Sequence, residues 1–137
     1  MGLSIMAVED SAEDRALLEE LLVPLGHRFL WAETVRGAER LLVTETIDLV
    51  ILDVELRDGE SGIHLAHRIP RGVAVFIRSG HSPTRILHDA VSISHPLAGV
   101  SIILGKPDVD GLLREIRRLE RVSRSDFPAI DVTKVTR

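Results

Sequence analysis

The run Ile47-Asp48-Leu49-Val50-Ile51-Leu52-Asp53 constrains the fold most. It is nearly continuous β-branched and apolar sequence, with no alternation of apolar and polar residues. Such a run is a strand covered on both faces, the condition of a parallel sheet sandwiched between helices. Its neighbours fit that frame. Leu3–Val8 is a short apolar run, Arg28–Ala32 a weaker strand, Val73–Ile77 a second buried-type strand and Val100–Leu104 the last.

Helical signals lie between them. Ser11 is an N-cap followed by acids, and Leu17, Leu18, Leu21, Leu22 and Leu25 form one apolar face that Gly26 ends. Thr34 caps a helix through Thr44 that buries Val35, Ala38, Leu41 and Leu42. A short helix runs to Ile69 before Pro70, and Thr84–Val91 is helical within an interval broken by Pro96 and Gly99. Val109, Leu112, Leu113, Ile116, Leu119 and Val122 mark an amphipathic last helix. Five strands and five helices in alternation, with short connections, predict a three-layer α/β sandwich around a five-stranded parallel sheet.

The chain's 137 residues suffice for one domain. We expect it over residues 1–122, with 123–137 as a C-terminal tail. The absence of cysteine excludes disulfides and thiolate metal sites. No run is long and apolar enough for a membrane span, and the amino terminus is unlike a signal peptide, so a cytoplasmic protein without membrane insertion is expected. Net charge is −4, but residues 1–60 hold 14 acids against 5 bases, and residues 61–137 hold 7 against 12. An acidic chain with few aromatics argues against direct nucleic-acid binding.

Open parallel sheets bind ligands outside the carboxyl ends of their strands. Four of those ends carry Glu9-Asp10, Asp53, Ser79 and Lys106. Converging carboxylates repel unless a cation neutralises them, and oxygen ligands suit Mg²⁺. A hydroxyl, an ammonium and the metal would then surround a phosphoryl group on Asp53. Lys106 is one of two lysines beside fifteen arginines. Singly, each residue is more often a loop acid, a helix cap or a solvated charge; only the set points to chemistry.

The set resembles that of response-regulator receiver domains over about residues 3–122. Met6-Ala7-Val8-Glu9-Asp10, Leu49 to Gly59, Phe76-Ile77-Arg78-Ser79-Gly80-His81 and Leu104-Gly105-Lys106-Pro107 carry the likeness. The resemblance implies a flavodoxin-like, doubly wound (βα)5 fold of the single-domain CheY-like type. It implies that Asp53 accepts phosphate from a phosphohistidine on a sensor histidine kinase or histidine phosphotransfer protein. Asp10, Asp53 and the carbonyl of Glu55 would ligate Mg²⁺, with Glu9 acting through water. Ser79 and the backbone N–H groups of Val54 and Gly80 would contact phosphoryl oxygens, and Lys106 would pair with them.

Three positions depart from the pattern: Ile103 replaces the usual aromatic switch residue, Arg57 replaces a common proline, and the interval from Ser79 to Lys106 is long. The implied role is signalling by protein contact or phosphorelay, not enzymatic turnover. The alternatives are a degenerate receiver that binds partners without phosphorylation and a small Mg²⁺-dependent aspartyl phosphohydrolase. The order of the acids disfavours the latter. Arg114, Arg117, Arg118, Arg121 and Arg124 form either a solvated face paired with Glu115 and Glu120 or a homodimer contact through the last helix. Zinc is disfavoured at His64, His67, His81, His88 and His95, which match no ligand spacing. His81 is also a candidate to lie over the site. Arg78 either pairs with an acid or faces solvent.

Overall fold

A computed structural model describes residues 2–53, 56, 65, 68–70, 72–79, 100–105 and 108–121. The elements are β1 (Ser4–Val8), α1 (Ala12–Leu22), β2 (Arg28–Ala32), α2 (Val35–Thr44), β3 (Leu49–Leu52), β4 (Ala74–Ser79), β5 (Val100–Gly105) and α3 (Val109–Glu120). The strands form one parallel sheet in the order β2-β1-β3-β4-β5. The chain leaves β1 toward β2 and then returns to β1's other side at β3. That reversal opens a crevice outside the carboxyl ends of β1 and β3.

The non-alternating run behaves as its composition requires. Leu49, Val50, Ile51 and Leu52 are at most 2% exposed, because both faces of β3 are covered. Met6, Val8, Val50, Leu52, Val75 and Ile77 pack on Val35 and Ala38 of α2. The opposite face, with Ile5, Ala7, Leu49, Ile51 and Phe76, packs on Leu18 and Leu22 of α1 and Leu112, Ile116 and Leu119 of α3. Burying each such large aliphatic side chain contributes about 1.5–3 kcal/mol.

The caps are local. Ser11 Oγ accepts the N–H of Asp14 at 3.3 Å and Thr34 Oγ1 that of Gly37 at 3.0 Å, as their positions predict. Asp108, not singled out from the sequence, caps α3 by accepting the Gly111 N–H at 2.8 Å. The first helix is shorter than its leucine pattern. Pro24 lacks the N–H needed to continue the ladder, so the chain tightens into a 3₁₀ turn over Val23–Leu25. Gly26, at φ 93°, closes that turn, and Leu25 is left 52% exposed instead of joining the apolar face. Strand β4 runs two residues beyond the apolar segment, which places Ser79 within the strand, opposite Gly105 of β5. The helix assigned to Thr84–Val91, most of the one ending near Ile69 and the tail at 123–137 lie outside the described residues.

Candidate phosphoacceptor site

Two strand ends create the site. The β1 ladder continues past Val8, where the Glu9 N–H donates to the Ala32 carbonyl at 3.0 Å. The β3 ladder likewise continues, with the Asp53 N–H donating to the Val8 carbonyl at 3.0 Å. These bonds fix Glu9 and Asp53 side by side at the crevice, and Asp10 turns the chain toward α1. One carboxylate oxygen from each of Glu9, Asp10 and Asp53 lies within 4.8 Å of the other two. Glu9 is 3% and Asp53 6% exposed, whereas Asp10 is half-buried.

Local contacts hold the first strand end in shape. Glu9 Oε1 accepts the Ser11 N–H at 3.1 Å, drawing the carboxylate back over the start of α1. The indole N–H of Trp31 donates to the Glu9 carbonyl at 2.7 Å, and the Arg15 guanidinium lies 4.0 Å from the centre of the Trp31 ring. Trp31 and Arg15 therefore brace the acidic turn. The sequence reading missed both; the available signal was the chain's single tryptophan in a strand beside β1.

Three carboxylates this close need positive charge between them. All the donor atoms are oxygens, two of the three carboxylates are screened from water and the third, Asp10, remains accessible. That donor set fits a hard divalent cation such as Mg²⁺. Among the remaining site residues, the backbone of Ser79 lies at the carboxyl end of β4 beside Gly105, the residue before Lys106. Val54, Glu55, Gly80 and Lys106 lie outside the described residues, as do Arg57, Arg124, His64, His67, His81, His88 and His95. Ile103 pairs with Ile77 along the β4–β5 ladder. Arg78 does not face solvent: it is 3% exposed.

The chain is similar to known signalling proteins. The response regulator TrrA of Thermotoga maritima, solved in complex with Mg²⁺ and BeF, superposes with a TM-score of 0.71 at 26% identity, over 87% of this chain and 99% of that one. The chain's fold matches that of solved response-regulator receiver domains. Curated relatives include the phosphate regulon transcriptional regulatory protein PhoB of Pseudomonas aeruginosa, 37% identical over 71 residues, 52% of this chain and 31% of that protein. The uncharacterized transcriptional regulatory protein YbdJ of Bacillus subtilis is 34% identical over 84 residues, 59% of this chain and 36% of that protein. The chain thus spans about a third of the length of each of these curated relatives. No protein-family model matches the chain.

The carboxylate cluster sits at the switch point of the sheet, and no described helix is long and apolar enough to cross a membrane.

Proposed function

We propose that this receiver is a phosphoacceptor: an Asp53 carboxylate oxygen attacks the phosphorus of a phosphohistidine, the P–N bond breaks, and the imidazole leaves with its electron pair. The observation that carries the reading is the convergence of Glu9, Asp10 and Asp53 within 4.8 Å at the sheet's switch point. Asp10, Asp53 and the Glu55 carbonyl would hold Mg²⁺, with Glu9 acting through water. When bound, the ion neutralises the carboxylates and draws charge from phosphoryl oxygens. This chain's own donors would complete the oxyanion cradle: the Ser79 hydroxyl, the Val54 and Gly80 N–H groups and the Lys106 ammonium. Ser79 ends β4 and Lys106 follows β5 in sequence, so a phosphoryl group on Asp53 would pull on the ends of both strands together.

The donor is a sensor histidine kinase or a histidine phosphotransfer protein, and the setting is the cytoplasm. The acceptor serves as a switch and not as an enzyme acting on a separate substrate. Output runs through protein contact. Arg114, Arg117 and Arg121 on the exposed side of α3 suit acids of a second copy, while Arg118 is engaged by Glu115 at 3.1 Å.

Beryllofluoride, a phosphoryl mimic, tests the reading. With Mg²⁺ present, amide resonances of Asp53, Ser79 and Gly105 should shift in the parent and not in Asp53→Asn. A parent that binds Mg²⁺ but ignores beryllofluoride would instead favour the degenerate, phosphorylation-independent receiver.

A further inference from the structure

Buried charge in this receiver is concentrated in one row. The described residues with buried polar side chains are Glu9, His27, Asp53 and Arg78. Three of these four stand at the carboxyl ends of adjacent strands. Val8 pairs with Leu52, and Leu52 pairs with Ile77. Glu9, Asp53 and Arg78 are each one residue further on, so they continue that row across β1, β3 and β4. Two residues before them, Ala7, Ile51 and Phe76 pack together on the α1–α3 side of the sheet. Side chains two apart along a strand share a face. Glu9, Asp53 and Arg78 therefore project from that same face, one strand spacing of about 4.8 Å apart in turn.

A guanidinium is permanently charged, and burying it to 3% exposure is costly without an anion beside it. Resting on the phosphoacceptor reading, we propose that Arg78 is a positioning residue of the acceptor site. Its charge acts as a resident counter-ion to Asp53, against which Mg²⁺ must compete and toward which an added phosphoryl group is drawn. The two ligands should feel it with opposite sign. A divalent cation entering the carboxylates meets a fixed positive charge about two strand spacings or less away, which weakens its binding. A phosphoryl group or its mimic adds about −1.5 to −2 charge on Asp53, and a guanidinium donates to such oxygens in a planar fork.

The test uses Arg78→Met, which keeps most of the stem and removes the charge, and Arg78→Lys, which keeps the charge. Arg78→Gln serves in place of the methionine variant if that chain does not fold. Mg²⁺ binding is read from Trp31 fluorescence, because the indole is bonded to the Glu9 carbonyl. Beryllofluoride binding is then read at saturating Mg²⁺. Arg78→Met should bind Mg²⁺ about tenfold more tightly and beryllofluoride about tenfold more weakly, with Arg78→Lys within about threefold of the parent for both. Unchanged affinities, or weakening of both ligands together, would overturn the proposal, the latter by showing that Arg78 only supports the strand. A parent insensitive to beryllofluoride would defeat the phosphoacceptor reading. Mg²⁺ affinity in Arg78→Met would still decide the sign of the arginine's effect in that case.

Discussion

The two ends of the sheet use polar residues for opposite purposes. At the amino end, the half-buried Asp48 and the buried His27 are matched to backbone partners. Asp48 Oδ2 accepts the Ser4 N–H at 2.8 Å, the Asp48 N–H donates to the Ser4 carbonyl at 2.8 Å, and the Asp48 carbonyl accepts from Ala74 at 3.0 Å. His27 Nδ1 accepts the Leu3 N–H at 3.0 Å, which leaves Nε2 to carry the proton of the neutral ring, 3.4 Å from Glu120 Oε1. These contacts tie β1, β2, β3 and α3 together. At the carboxyl end, Glu9, Asp10 and Asp53 converge with like charge. Complementary polar pairing marks the end that holds the fold together, and concentrated charge marks the end proposed to bind a cation and a phosphoryl group.

Carboxylate substitutions at the two ends should separate these roles. Asp10→Ala removes a charged oxygen ligand, so Mg²⁺ affinity should fall by about a hundredfold in a Trp31 fluorescence titration. Its thermal midpoint without metal should rise, since a like charge has gone. Unchanged Mg²⁺ affinity would move the metal elsewhere. Asp48→Ala should do the reverse, leaving Mg²⁺ binding intact while costing about 2 kcal/mol in urea unfolding, because the Ser4 N–H loses its acceptor. A variant as stable as the parent would remove Asp48 from the amino-end ties.

His27→Leu keeps an apolar shape but orphans the Leu3 N–H, and about 1 kcal/mol of stability should be lost by the same measurement. No loss would mean that water replaces the imidazole there. The smallest effect is expected at Arg118, whose side chain is 54% exposed and paired with Glu115 within one helix turn. Arg118→Ala should change stability by less than about 0.5 kcal/mol. A larger loss would show that the arginine face of α3 supports the fold beyond its local ion pair.

The same contrast explains what could be read from the sequence. The β3 run was legible because burial on both faces leaves no position for a polar residue between Leu49 and Leu52. Ser11 and Thr34 were legible because a capping hydroxyl acts on a backbone N–H three residues away. Glu9, Asp10 and Asp53 followed from strand order, since the switch point brings two strand ends together whatever the loops do. His27 and Asp48 were not legible as ties, because their partners lie 24 and 44 residues away. Trp31 and Arg15 escaped for the same reason: bracing Glu9 depends on the β1–β2 register. Arg78 looked like a choice between solvent and an acid, and only its burial and row position decide against solvent. The end of α1 failed locally, where one proline outweighed a leucine repeat.

Intact-mass measurement after incubation with a small phosphodonor and Mg²⁺ tests the central claim most directly. The parent should gain one phosphoryl group, mapped to Asp53, and Asp53→Asn should gain none at that position. A parent whose mass does not change, or an adduct mapped to any residue other than Asp53, would contradict the account.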